Sequence, residues 1–211
     1  MKKKIIATLF IVLSLVAALS ACSAVTSGTS VLTGEIKQGV WSEDGKTFIN
    51  EWSNIKFTMP EGFVPATEEQ IEDMMKAGME TTGISDLAMM RVVYDFVASS
   101  PTGMPNITLA YESLKLNPAL STITEETYLD LLNEQFGEIE VQGFKYTEIE
   151  RAKVRIADVD WSGASFSLNG IMYQDFYLHL QDGYMWQIIV TYDDTTAESV
   201  TDMLAGMTAT K

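Results

Sequence analysis

The chain has 211 residues, with 14 Lys and Arg against 29 Asp and Glu, one His and one Cys, and 46% of its residues are apolar. That apolar share excludes general disorder, and a single Cys excludes an intrachain disulfide or a cysteine-based metal cluster. A single His excludes any site that needs two imidazoles, the His-Glu-x-x-His zinc proteases among them.

The first element is an address. Lys2, Lys3 and Lys4 precede an apolar run from Ile5 to Leu19 that is broken only by Thr8 and Ser14. A membrane-crossing helix takes about 20 largely apolar residues, so this run reads as a processed leader and not as a permanent span. It ends in Leu19-Ser20-Ala21-Cys22, two small residues between an aliphatic one and the only Cys. The pattern resembles a bacterial lipobox. The resemblance implies that residues 1–21 are a lipoprotein signal peptide, that the Cys22 sulfur carries a diacylglyceryl group, and that Cys22 becomes the mature N-terminus. Two or more acyl chains hold a protein stably to a bilayer where one holds it marginally. The alternatives are an uncleaved helix and an ordinary secretory signal with an incidental Cys. The expected location is the extracytoplasmic face of the cell membrane, reached through the lipid on Cys22.

Loss of residues 1–21 removes three Lys and no acid, leaving 190 residues with 11 basic and 29 acidic side chains and a net charge of −18. Such a surface repels phosphates and anionic headgroups, so nucleic acid is not an expected partner. The charge also serves simply to keep a surface protein soluble. Residues 22–34 read as the lipidated Cys followed by an uncharged, aperiodic tether with a root-mean-square reach of roughly 20 Å. Residues 35–211 show no second linker, no repeat and no low-complexity stretch, which fits one domain.

Within that domain Asp44-Gly45, between Val40-Trp41 and Thr47-Phe48-Ile49, is a hairpin signal. Ile55 to Met59 alternates as a strand, and Pro60-Glu61-Gly62 ends it. Thr67 opens a helix through a capping box with Gln70, carries Ile71, Met74, Met75 and Met79 on one stripe, and stops near Gly83. Met90 to Ala98 and Asn106 to Ser113 read as strands. A second helix runs from about Glu125 to Phe136, capped by Thr122 or Thr124, with Tyr128, Leu131, Leu132 and Phe136 as its apolar stripe and Gly137 as its end. Residues 138–150 suggest one short strand near Phe144 to Ile149. Asn169-Gly170 and Asp182-Gly183 are two-residue turn signals; as such they set Leu168 opposite Ile171, Tyr173 opposite Phe166, Tyr177 opposite Ile188 and His179 opposite Trp186. A last helix starts at Thr195, boxed with Glu198, and presents Ala197, Val200, Leu204 and Met207.

In that register one face of the C-terminal meander carries Tyr173, Tyr177, His179, Tyr184, Trp186, Ile188, Val190 and Tyr192. The other carries Met172, Phe176, Leu178, Leu180, Met185 and Ile189. A sheet with one wet face alternates apolar and polar, so both faces here need cover. The expected fold is α+β: an antiparallel sheet covered on both faces by helices, an α/β/α sandwich.

The segment Phe57-Thr58-Met59-Pro60-Glu61-Gly62-Phe63 before a helix, then Gln174-Asp175-Phe176-Tyr177, Asp182-Gly183-Tyr184 and Ile188-Ile189-Val190-Thr191-Tyr192 before a last helix, is similar to the PsbP-like group. That group includes a photosystem extrinsic protein, a Ran-binding import factor and DcrB-type bacterial lipoproteins. The similarity spans most of residues 45–207. It departs at Asp158, where the group has a Gly after the Ile-Ala step at 156–157. What it implies is a shared architecture and an accessory or binding role, since its members share no activity.

No phosphate loop, Gly-x-Gly-x-x-Gly or Gly-x-Ser-x-Gly elbow is present. A Ser-His-Asp relay would have to use His179, a mid-strand residue between Leu178 and Leu180. Asp158 with Asp160, and Asp193 with Asp194, could offer oxygens to Ca²⁺, but the Asp-x-Asp-x-Asp-Gly loop is missing, and Asp194 or Thr195 can simply cap a helix. Met74, Met75 and Met79 could offer thioethers to Cu(I), although helical spacing makes them a core stripe. Tyr177, His179, Tyr184 and Trp186 form the best candidate ligand face, aromatic with polar tips. The expectation is a non-enzymatic, lipid-anchored accessory or binding protein without a cofactor, whose partner is an envelope protein or a small ligand. The alternatives are a cell-envelope hydrolase using His179 and a small solute-binding lipoprotein.

Overall fold

The computed structural model describes residues 36–82, 92–115, 120, 122–138, 140–141 and 144–211. Cys22 with its lipobox, the tether, Gly83, Met90 and the Met79 side chain lie outside the described residues.

Chain order begins with β1 (Val40–Trp41), β2 (Thr47–Asn50) and β3 (Ile55–Thr58), then β4 (Val64–Pro65) and α1 (Glu68–Thr82). Next come β5 (Val92–Ser99), β6 (Asn106–Ser113) and α2 (Glu125–Glu138). The C-terminal part holds β7 (Glu140–Val141), β8 (Phe144–Ile156), β9 (Val159–Leu168), β10 (Met172–Gln181), β11 (Tyr184–Tyr192), α3 (Glu198–Ala205) and β12 (Met207–Ala209). An eight-stranded antiparallel sheet has the order β4-β5-β6-β11-β10-β9-β8-β7, and a second sheet has the order β1-β2-β3-β12. The expected α+β class with antiparallel pairing is therefore present.

The helix ends follow their chemistry. Thr67 N–H donates to Gln70 Oε1 at 2.8 Å and Gln70 N–H to Thr67 Oγ1 at 3.2 Å, the reciprocal capping box. Thr124 Oγ1 accepts from Thr127 N–H at 3.2 Å at the start of α2. At α3 no box forms. Asp193 Oδ1 instead gathers Thr195 N–H at 2.9 Å, the Thr195 hydroxyl at 2.7 Å and the Thr196 hydroxyl at 2.8 Å, and the helix begins only at Glu198. Met207 is not helical; it opens β12 and pairs with Phe57.

One hairpin corrects the expected register. At Asp182-Gly183 the pairing is as the turn chemistry requires: Gln181 faces Tyr184, Tyr177 faces Ile188 and His179 faces Trp186. At Asn169-Gly170, however, Leu168 pairs with Met172 and Phe166 with Gln174, so Ile171 is looped out and 48% exposed. A slip of one residue moves every side chain of a strand to the other face. Here it turns Phe166 and Leu168 toward α2, where both are buried with Phe176 and Phe136. Burying Phe166 and Leu168 at the cost of one exposed Ile is the favourable exchange.

The faces of the large sheet are covered differently. On one, Tyr128, Leu129, Leu132 and Phe136 of α2 pack over Phe166, Phe176, Leu178 and Met185, while Ile71, Met74 and Met75 of α1 lie against Val92, Tyr94, Val97 and Ala110. On the other, the small sheet supplies Phe48, Ile55, Phe57 and Met207 against Phe96, Leu109, Trp186 and Ile188, with Met203 of α3 beside them. The expected helix layer on this second face is thus mostly a sheet. The sequence showed β1, β2 and β3 as a hairpin and a strand but not their assembly into a layer, because β12 joins them by pairing residues as distant as Phe57 and Met207.

Candidate functional site

Tyr177, His179, Tyr184 and Trp186 stand together on one face of β10 and β11, but that face is the interior. Tyr177, Tyr184 and Trp186 are 8%, 3% and 3% exposed. Trp52, from the β2–β3 turn, packs against Tyr184 and Trp186 with ring centroids 5.5 Å away in each case. Trp161 and Trp186 both lie 5.6 Å from the His179 ring. A Ser-His-Asp relay fixes the imidazole by a carboxylate on Nδ1. His179 Nδ1 is enclosed among rings, and no described side chain hydrogen-bonds it.

The other candidate acids are held by local partners. Asp158 and Asp160 flank Arg155 at 3.6 and 3.1 Å on an exposed hairpin. Asp193 organises its own turn, and Asp194 bonds the Tyr173 hydroxyl. Among the described residues no three His, Cys, Asp or Glu side chains gather as a metal site would require.

Besides the fully buried Glu112, two carboxylates, Asp175 buried and Asp95 half-buried, fell outside the sequence reading. Asp175, in mid-β10, accepts from the Tyr177 hydroxyl and the Tyr192 hydroxyl, each at 3.2 Å. Burial raises its pKa in spite of these donors and the Ser165 hydroxyl. A native pKa above the unfolded value gives stability that is complete below the unfolded pKa, about 4, and is lost as pH rises through the native one. Asp175→Asn, which does not ionise, is therefore expected to improve relative to wild type between about pH 4 and pH 7. Urea unfolding at both pH values checks this; a constant difference would remove Asp175 as the cause.

Asp95 is the second. The β5–β6 register shifts between Tyr94 and Phe96, so Asp95 is the extra residue of a bulge. The bulge aims its carboxylate at the small sheet. Oδ1 accepts from Gly39 N–H at 2.8 Å, and Oδ2 accepts from Asn50 Nδ2 at 2.6 Å and the Tyr111 hydroxyl at 3.1 Å. Burial pushes its pKa upward against these three hydrogen bonds. Gly39 is required here, because a Cβ would meet the Phe48 ring at 2.4 Å and Ile49 O at 2.6 Å.

Asp95 lines a cleft of about 500 Å³. Strand β4 pairs only with Ala98 and Ser99, so β5 from Val92 to Phe96 has no strand on its outer edge among the described residues. Gln38 Nε2 reaches Tyr94 O there at 3.3 Å. Opposite stands α1 with Ile71 and Met75, and the floor is aromatic: Trp41 meets Phe48 and Phe96 edge-on at 5.3 and 5.6 Å. Of this site the sequence showed one sign, a charged residue in the middle of the apolar run from Val92 to Val97.

No family model matches the chain, and no curated protein matches it. Solved structures do. One is the solution structure of cyanobacterial PsbP (CyanoP) from Synechocystis sp. PCC 6803, at 9% identity and a TM-score of 0.46, covering 90% of this chain and 98% of that one. Another is LpqN of Mycobacterium tuberculosis, involved in cell envelope biogenesis, at 14% identity and a TM-score of 0.40, covering 74% of this chain and 83% of that one.

Proposed function

We propose that this protein is a non-enzymatic binding protein of the bacterial cell envelope, tied to the outer side of the membrane by acyl chains on Cys22, and that it captures a small ligand in the cleft between α1 and β5. The observation that carries the reading is the cleft. Its volume of about 500 Å³ lies within the roughly 300–1,000 Å³ of small-molecule sites, and an apolar floor meets a few convergent polar groups. Of the aromatic quartet on β10 and β11, Tyr177, Tyr184 and Trp186 are buried and His179 is half-buried. Among the described residues no helix is long and apolar enough to cross a membrane.

The anchor and the cleft are tested separately. Cells fed an alkyne fatty acid are expected to label the wild-type chain and leave Cys22→Ala unlabelled and released from membranes; equal labelling would overturn the anchor. For the cleft, Ala66→Phe places a ring among the lining residues. A panel of indole-bearing compounds of positive, neutral and negative charge is expected to contain binders of the wild type that this variant loses. A panel without a single binder would overturn the binding role.

A further inference from the structure

We infer that the cleft is selective for an organic cation with an apolar body, an amine carried on an aromatic or aliphatic group. This rests on the binding role proposed above and adds the class of ligand. Among the described residues, the charged side chains that line the cleft have one sign: Asp95, Glu68 and Glu72. Glu68 and Glu72 are one turn apart on α1 and exposed, while Asp95 is half-buried on the facing strand edge. The three donors that Asp95 receives, from Gly39, Asn50 and Tyr111, are all neutral. They orient the carboxylate and, among the described residues, supply it no counterion.

The floor adds a second attraction. Trp41 is half-buried at the cleft, braced edge-on by Phe48 and Phe96, and the face of an indole attracts cations more strongly than other rings. Partial burial strengthens both terms, since an ion pair is worth several times more at the effective dielectric of a protein surface than in bulk water. Among the described lining residues, an anion of the same shape meets three carboxylates and no base. The apolar body of the ligand has Ile71 and Met75 to lie on.

The test compares three indoles of nearly one shape: tryptamine, a cation; tryptophol, neutral; and indole-3-propionate, an anion. The full chain in phosphatidylcholine nanodiscs is titrated calorimetrically, with empty discs as the blank. Tryptamine is expected to bind about tenfold more tightly than tryptophol, with indole-3-propionate weaker than both. Asp95→Asn is expected to remove most of tryptamine's advantage while leaving tryptophol unchanged. Because Asp95 also holds three hydrogen bonds, Glu72→Gln is made in parallel; it is exposed, so the fold does not depend on it, and a twofold to threefold loss for tryptamine alone is expected, of the order of one screened charge pair. Tryptophol binding as well as tryptamine would overturn the cation selectivity and keep the binding role. Loss of both compounds in Asp95→Asn, with Glu72→Gln inert, would assign Asp95 to structure and overturn the selectivity. Binding of none of the three would overturn the cleft itself.

Discussion

Phe136→Ala is expected to lower unfolding stability by about 3–5 kcal/mol, the range for deleting a fully enclosed aromatic side chain. Phe136 is completely buried, and its ring lies 4.9 Å from Tyr146, 4.8 Å from Phe166 and 5.4 Å from Phe176. It is the point at which α2 is fixed to three strands of the large sheet, β8, β9 and β10. A rigid sheet cannot close the space that Ala leaves, so the lost dispersion contacts are not regained. Domains are typically stable by about 5–15 kcal/mol, so the variant is left with a fraction of its margin. Phe136→Leu keeps most of the volume and is expected to lose less than half as much. Urea unfolding followed by far-ultraviolet circular dichroism checks both, and a loss below about 1 kcal/mol for Ala would show that the helix settles into the gap.

Asn50→Ala is expected to cost about 2–4 kcal/mol although it removes little volume. Asn50 is buried, and every part of its amide is engaged. Nδ2 donates to Lys37 O at 2.8 Å and to Asp95 Oδ2 at 2.6 Å, and Oδ1 accepts from Trp52 N–H at 2.8 Å and Ser53 N–H at 3.1 Å. Ala leaves two backbone N–H groups and part of a carboxylate without partners where solvent reaches poorly, and unmet buried groups bear their full desolvation cost. The same network fixes the Asp95 carboxylate at the cleft. Combining Asn50→Ala with Asp95→Ala is therefore expected to cost clearly less than the two single losses added together, because the second change removes a charge that the first had stranded. Strict additivity in that double-mutant cycle would show that the two side chains act independently.

The elements that were legible are those whose signal is local. The α1 capping box is written in Thr67 and Gln70, the α2 stripe in Tyr128, Leu132 and Phe136, and the β10–β11 register in Asp182-Gly183. Backbone conformation at a turn and the repeat of a helix depend on neighbours a few residues away, so they can be read along the chain. The two faces of β10 and β11 followed from alternation alone. Asn169-Gly170 carried the same turn signal as Asp182-Gly183, yet there the burial of Phe166 and Leu168 against α2 outweighed it. Turn preference is worth less than enclosing two large apolar side chains.

By itself the sequence determined an acidic chain of the α+β class with apolar residues on both faces of its C-terminal sheet. Tertiary structure alone decided what lies over the second face, because β1, β2, β3 and β12 meet only through pairing of residues as distant as Ile55 and Ala209. That packing enclosed Tyr177, Tyr184 and Trp186, which alternation had marked as a candidate surface. It also made the cleft. Gln38, Trp41, Glu72 and Asp95 come from three separate stretches of chain, and only the bulge at Asp95 and the open edge of β5 bring them around one space. A site of that kind is a property of juxtaposition, and no spacing of residues along a strand or helix encodes it.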